Sequence, residues 1–263
     1  MNPKKVGHST ELIIIVGLCC WLTFCASATN NLQKQQEKDP RYQYNMGLFY
    51  LNNGNPDQAI QYFNKSLKLN SNSFLTYNGL GLAYLMKHEL EKARDYFQKA
   101  LSLNPKFSEA HNYLGTVFQE MGLLEEAEKE YRSAVADPDY KSKELPYYNL
   151  ARLYLLKNQL QEALFYVNQS LEINKTMVMA YNLKGIILEK QEKFQEAIDN
   201  YLKGLKYAKD DINLNFNLAV AYFKNKDFDH ARELFEKILL QSPDPDMKAQ
   251  VNEYLKIINK RQP

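Results

Sequence analysis

The sequence predicts an all-α chain built by stacking helical hairpins, and three observations predict it. Breakers are scarce, with 10 glycines and 9 prolines in 263 residues, while Leu, Lys, Glu and Gln are plentiful. A motif returns six times, as QYNMGLFYL, TYNGLGLAYL, AHNYLGTVF, YYNLARLYL, AYNLKGIIL and FNLAVAYF. Its small residue falls at Gly47, Gly81, Gly115, Ala151, Gly185 and Ala219, at spacings of 34, 34, 36, 34 and 34. A period of that size marks a repeat array, whose single units cannot bury their own apolar faces.

The first element is not part of the array. Lys4 and Lys5 precede an apolar run from Leu12 to Phe24, shorter than the ~20 residues that span a bilayer but suited to the core of a secretion signal. All three cysteines, Cys19, Cys20 and Cys25, lie here, as does the only tryptophan, Trp21. Three outcomes stay open. Leu22-Thr23-Phe24-Cys25 resembles a bacterial lipobox, which would make Cys25 the lipidated first residue, although Phe24 stands where a small residue is expected. Ala26-Ser27-Ala28 offers a small-x-small cut that releases a chain beginning at Thr29. The run could also stay uncleaved as a short anchor. From residue 26 onward there is no cysteine, so no disulfide framework and no thiolate metal site.

Residues 25–39 follow as a tether. TNNLQKQQEKD carries one large apolar side chain, too little burial to offset ordering entropy. Eleven such residues reach roughly 15–20 Å.

Residues 40–245 hold the six units, beginning near 40, 74, 108, 144, 178 and 212. Twelve residues after each small position stands an alanine: Ala59, Ala93, Ala127, Ala163, Ala197 and Ala231. Four further on come Phe63, Phe97, Tyr131, Val167, Tyr201 and Phe235. Three beyond those come Ser66, Ala100, Ala134, Ser170 and Gly204, with Ile238 the exception. Two amphipathic helices joined by a short turn such as NNGNP or KNKDF satisfy this pattern. Small residues let the axes approach and bulky ones fill the remaining space. The 36-residue step, ADPDYKSKELPYYNLA, adds two residues with Pro138 and Pro146, and predicts a looser junction between two three-unit halves. MKAQVNEYLKII then reads as a capping helix over 246–260, which a stacked array needs. The pattern resembles the tetratricopeptide repeat, and that resemblance implies a right-handed α-solenoid of six repeats with a C-terminal capping helix.

No catalytic constellation emerges. His8, His88, His111 and His230 have no metal-ligand spacing among them. GLGLAY lies within a helix and supplies repeat small positions rather than a phosphate loop. Removing residues 1–24 leaves 31 basic against 30 acidic residues, with no basic stripe for nucleic acid. The expectation is a non-enzymatic protein without metal, cofactor or nucleic-acid partner.

Binding capacity is expected on the first helix of each unit. Count the small residue as position 8; positions 2, 5, 6, 9, 12 and 13 then share a face. Every unit has an asparagine at position 5 or 6: Asn45, Asn78, Asn112, Asn149, Asn182 and Asn217. Amides donate and accept, so they either clamp an extended backbone or bond within and between units. Positions 9 and 12 are often apolar, as at Leu48, Leu51, Leu82, Leu85, Leu155, Ile186, Val220 and Phe223, with Met86 and Tyr148 beside them. An exposed apolar stripe marks a groove for an apolar or amphipathic partner segment; packing between first helices is the alternative.

The six repeats, the lipoprotein-like start, the polar tether and the DPDY…PYYNLA junction together resemble the type IV pilus biogenesis and stability lipoproteins, which include the pilotins. The resemblance implies an outer-membrane lipoprotein facing the periplasm, anchored through Cys25, that binds a secretin subunit and aids ring assembly. Ala26 rather than Asp after Cys25 fits outer-membrane sorting. The alternative is a general exported adaptor, soluble or anchored, for another envelope or secretion complex.

Overall fold

The computed structural model describes residues 36–241 and 243–261. The secretion signal, Cys25 and residues 26–35 of the tether lie outside the described residues. Residues 36–37 are helical, and the Gln43 side-chain amide donates to the Glu37 carbonyl at 2.8 Å.

Between Pro40 and Arg261 there are thirteen helices and, among the described residues, no strand. They pair as six hairpins: α1 (Pro40–Asn52) with α2 (Pro56–Leu69), α3 (Phe74–Met86) with α4 (Leu90–Leu103), α5 (Ser108–Glu120) with α6 (Leu124–Ala136), α7 (Glu144–Leu156) with α8 (Leu160–Ile173), α9 (Val178–Lys190) with α10 (Phe194–Leu205), and α11 (Ile212–Lys224) with α12 (Phe228–Leu240). A last helix, α13 (Pro245–Arg261), packs on α12.

Local chemistry sets several helix starts. Asp39 and Asn55 cap α1 and α2, each followed by a proline at the first helical position. That proline forfeits only an N–H that would lack a partner anyway. Ser73, Asp211 and Asp227 accept backbone N–H groups at the starts of α3, α11 and α12. Inside every hairpin one turn residue takes a left-handed backbone: Gly54, His88, Gly122, Asn158, Glu192 and Lys226, with φ from 55° to 78°. Only two are glycines, so four side chains accept the strain of that conformation.

The core is the interlock of small and bulky positions. Ala59, Ala93, Ala127, Ala163, Ala197 and Ala231 are fully buried, and so are Phe63, Phe97, Tyr131, Val167, Tyr201 and Phe235. A Cβ added at Gly115 would stand 2.7 Å from the Tyr131 ring, and one at Gly81 2.6 Å from the Phe97 ring. Glycine is required there because the rings lie directly on the first-helix backbone. Ser66 and Ser170 donate to the carbonyls of Pro40 and Glu144, each at 2.8 Å, which satisfies two otherwise costly buried hydroxyls.

The chain divides into two compact units, one ending at Pro105 and one starting at Lys106. The division therefore falls between the second and third hairpins, not at the 36-residue step. That step is bridged within the second unit. Ser108 donates to the Asp137 carboxylate at 3.0 Å, Pro146 is buried in the first turn of α7, and α6 packs on α7. Glu128 of α6 gathers Tyr154 Oη at 2.5 Å, Arg132 Nε at 2.9 Å and Lys157 Nζ at 3.0 Å. Burial pushes its carboxyl up, but hydrogen bonds from Tyr154, Lys157 and Arg132 outweigh it and hold the group at about 2. Two inserted residues lengthen the loop, and this cluster keeps the helices joined.

Candidate partner-binding face

In the first unit the face is made by α1 and α3, which pack side by side. α3, FLTYNGLGLAYLM, has no charged residue. Asn45 is exposed and Leu48 half-buried on α1. On α3, Leu82 and Leu85 are half-buried, while Leu75 and Met86 are 40% and 47% exposed. Asn78 is buried, and its side-chain oxygen has no hydrogen-bond partner.

The second unit treats its asparagines differently. Asn149 donates to Asn112 Oδ1 at 3.0 Å, and Asn217 donates to Asn182 Oδ1 at 2.7 Å. Each bond joins position 5 of one first helix to position 6 of the next. These four amides staple neighbouring helices, the second of the two options that their sequence positions allowed. Tyr148 is half-buried beside Arg152, whose guanidinium lies 5.9 Å from the ring centroid. Burial pushes the Tyr113 and Tyr148 phenols up.

Between α9, α11 and α13 the face sinks into a cleft of about 360 Å³. It brings together three of the sequence-predicted residues, Ile186, Asn217 and Val220. It also contains residues that the sequence reading missed. Phe216 and Tyr254 are half-buried walls with centroids 6.4 Å apart. Tyr254 also meets Phe223 and Phe235 at 5.0 Å each, so α13 reaches over the face of the last hairpin. Glu189, Lys190 and Lys224 are polar lining residues. Glu189 accepts the Tyr201 hydroxyl at 2.6 Å and the Lys224 ammonium at 2.7 Å. Burial, then the Glu189 charge, pushes the Tyr201 phenol well up, which keeps it a donor. The available signal was Glu189 itself: an acid at position 12, where the other units carry Leu, Phe or, once, Gln.

Residues 40–106 match a family model described as tetratricopeptide repeat, and residues 96–129 match another of the same description. The chain is a tetratricopeptide-repeat protein. Residues 139–253 of this repeat protein match the model for the C-terminal ARM domain of tetratricopeptide repeat protein 21. Human tetratricopeptide repeat protein 21A is 30% identical over 106 residues, 40% of this chain but 8% of that protein. The uncharacterized protein ycf37 of Cyanophora paradoxa is 29% identical over 107 residues, 39% of this chain and 62% of that one. The matched stretch thus spans less than two thirds of either relative.

Among solved structures, Pseudomonas aeruginosa PilF is similar with a TM-score of 0.74 and 19% identity, over 83% of this chain and 99% of that one. PilW, described as a widely conserved type IV pilus biogenesis factor, gives a TM-score of 0.76 and 17% identity, over 81% and 97%. At these identities the likeness is one of fold. Among the described residues no helix is long and apolar enough to cross a membrane, and no His, Cys, Asp and Glu group could hold a metal ion. The tetratricopeptide fold is ordinarily an interaction scaffold rather than a catalyst.

Proposed function

We propose that this repeat protein is a non-enzymatic, protein-binding scaffold of the bacterial envelope that assists type IV pilus or secretin assembly. The observation that carries the reading is the near-complete structural overlap with PilF, 83% of this chain against 99% of that one. The lipobox-like segment ending at Cys25 and the polar residues after it support an outer-membrane lipoprotein on a short tether. The partner segment, a secretin subunit in this reading, docks on the first-helix face. Asn45, Leu48, Asn78, Leu82, Leu85 and Met86 supply its contacts in the first unit. In the second, Tyr148, Ile186 and Val220 line the face, while Asn112, Asn149, Asn182 and Asn217 hold the neighbouring first helices together beneath it.

The experiment is deletion in the host, followed by the state of the secretin and the mass of the mature chain. The expected result is loss of secretin multimers and a membrane-bound chain whose mass corresponds to acylated Cys25. Intact multimers in the deletion strain would remove the assembly role. An unmodified chain beginning at Thr29 in the soluble fraction would remove the anchor and favour a diffusing adaptor. Leu82→Glu with Leu85→Glu is expected to abolish secretin capture while leaving helicity unchanged by circular dichroism.

A further inference from the structure

The cleft between α9, α11 and α13 has a floor, a lip and a charge, and these select a ligand. Ile186 and Val220 form an apolar floor; the Phe216 and Tyr254 rings wall it. Its volume, about 360 Å³, lies at the small end of ligand sites and suits a single large side chain with its backbone. Asn217 lines the same cleft, and after its one bond to Asn182 it keeps a side-chain oxygen and one N–H for a passing backbone.

The charges are not balanced. Glu189 is engaged by Lys224 and by the Tyr201 hydroxyl. Lys190 is exposed on the lip and has no ion-pair partner among the described residues. Two ammonium groups therefore face one carboxylate that is already taken, leaving one positive charge beside an apolar hole.

We infer that this cleft recognises a partner segment in which a large apolar side chain is followed within a residue or two by a carboxylate. The apolar group fills the space over Ile186 and Val220, and the carboxylate pairs with Lys190. This rests on the reading of the chain as a protein-binding scaffold. It adds where one anchor sits and what chemistry that anchor requires.

The test is selection of a random nonapeptide library, displayed on phage, against the full chain in detergent, followed by fluorescence anisotropy on the enriched peptide made synthetically. The expected enrichment is Phe, Leu or Trp followed closely by Asp or Glu. Lys190→Glu should weaken that peptide about tenfold, more than a simple exposed pair is worth because the sign is reversed. Changing the peptide's acid to its amide should weaken it about fivefold and abolish most of its salt dependence. Ile186→Glu should remove binding, with the melting curve checked because Ile186 is half-buried; exposed Lys190 keeps the test valid if that variant unfolds. Enrichment of peptides that Lys190→Glu and Ile186→Glu leave unaffected but Leu82→Glu/Leu85→Glu abolishes would overturn this site while keeping the scaffold. Enrichment without an acidic residue would overturn the charge requirement. No enrichment at all would overturn the anchor, while the secretin phenotype above would still decide the scaffold reading by itself.

Discussion

The faces of α3 and α9 descend from the same repeat positions, yet they offer opposite chemistry. On α3 the positions read Leu75, Asn78, Gly79, Leu82, Leu85 and Met86, without a charge. On α9 they read Met179, Asn182, Leu183, Ile186, Glu189 and Lys190, and the amide is bonded to the next helix. The small–bulky interlock beneath is the same in both, because it is what lets the hairpins stack. The periodic part of the sequence thus builds the scaffold, and the departures from periodicity set the chemistry of its first-helix face.

The largest effect is expected where the two regions agree. A Cβ at Gly185 would penetrate the Tyr201 ring, which is fully buried and tied to Glu189. Gly185→Ala should cost about 1–3 kcal/mol by overpacking, read as a lower melting temperature. An unchanged melt would show that the hairpin slides apart freely. The difference between the regions appears next, in the amides. A double-mutant cycle of Asn182→Ala and Asn217→Ala should give a coupling of about 0.5–1.5 kcal/mol, whereas exposed Asn45→Ala in the first unit should stay within about 0.5 kcal/mol. Equal, uncoupled losses would dissolve the distinction.

Acid should weaken the α6–α7 cluster of the second unit. Glu128 is held at about 2, below the ordinary 4.5. A lowered folded value contributes stability above the unfolded value and loses it as pH falls from about 4.5 toward 2. The wild-type melting temperature should drop across that window, and Glu128→Gln should show a shallower drop from a lower start. Parallel curves would mean that the α6–α7 cluster contributes nothing. The smallest effect is a gain: Lys226 sits at φ 66°, so Lys226→Gly should stabilise by about 0.5–1 kcal/mol. Chemical denaturation with unchanged slope checks it.

The fold was almost wholly legible. A 34-residue period with Gly or Ala opposite Phe or Tyr admits few other solutions, and the terminal helix followed from the need to cover the last apolar face. Less of the site could be read. The six asparagines looked equivalent in composition, but their positions are not. The order 5 then 6, at Asn112–Asn149 and Asn182–Asn217, places amides on facing sides of adjacent helices. The order 6 then 5, at Asn45–Asn78 and Asn149–Asn182, gives no bond. Tyr254 was read only as part of a cap, because nothing in its segment's periodicity says that its ring reaches Phe216 and Phe223. The division at Pro105 has no compositional mark, while the conspicuous insertion at 137–143 is held by side-chain bonds that no spacing announces.

The central claim is that the first-helix face holds the protein partner. Photo-crosslinking in the host tests it most directly, with benzophenone placed at Leu82, at Lys190 and, as a control on the second helix α4, at exposed Gln98. The account predicts the same envelope protein, a secretin subunit, trapped from positions 82 and 190 and none from 98. Adducts from 98 with none from the first-helix positions would contradict it.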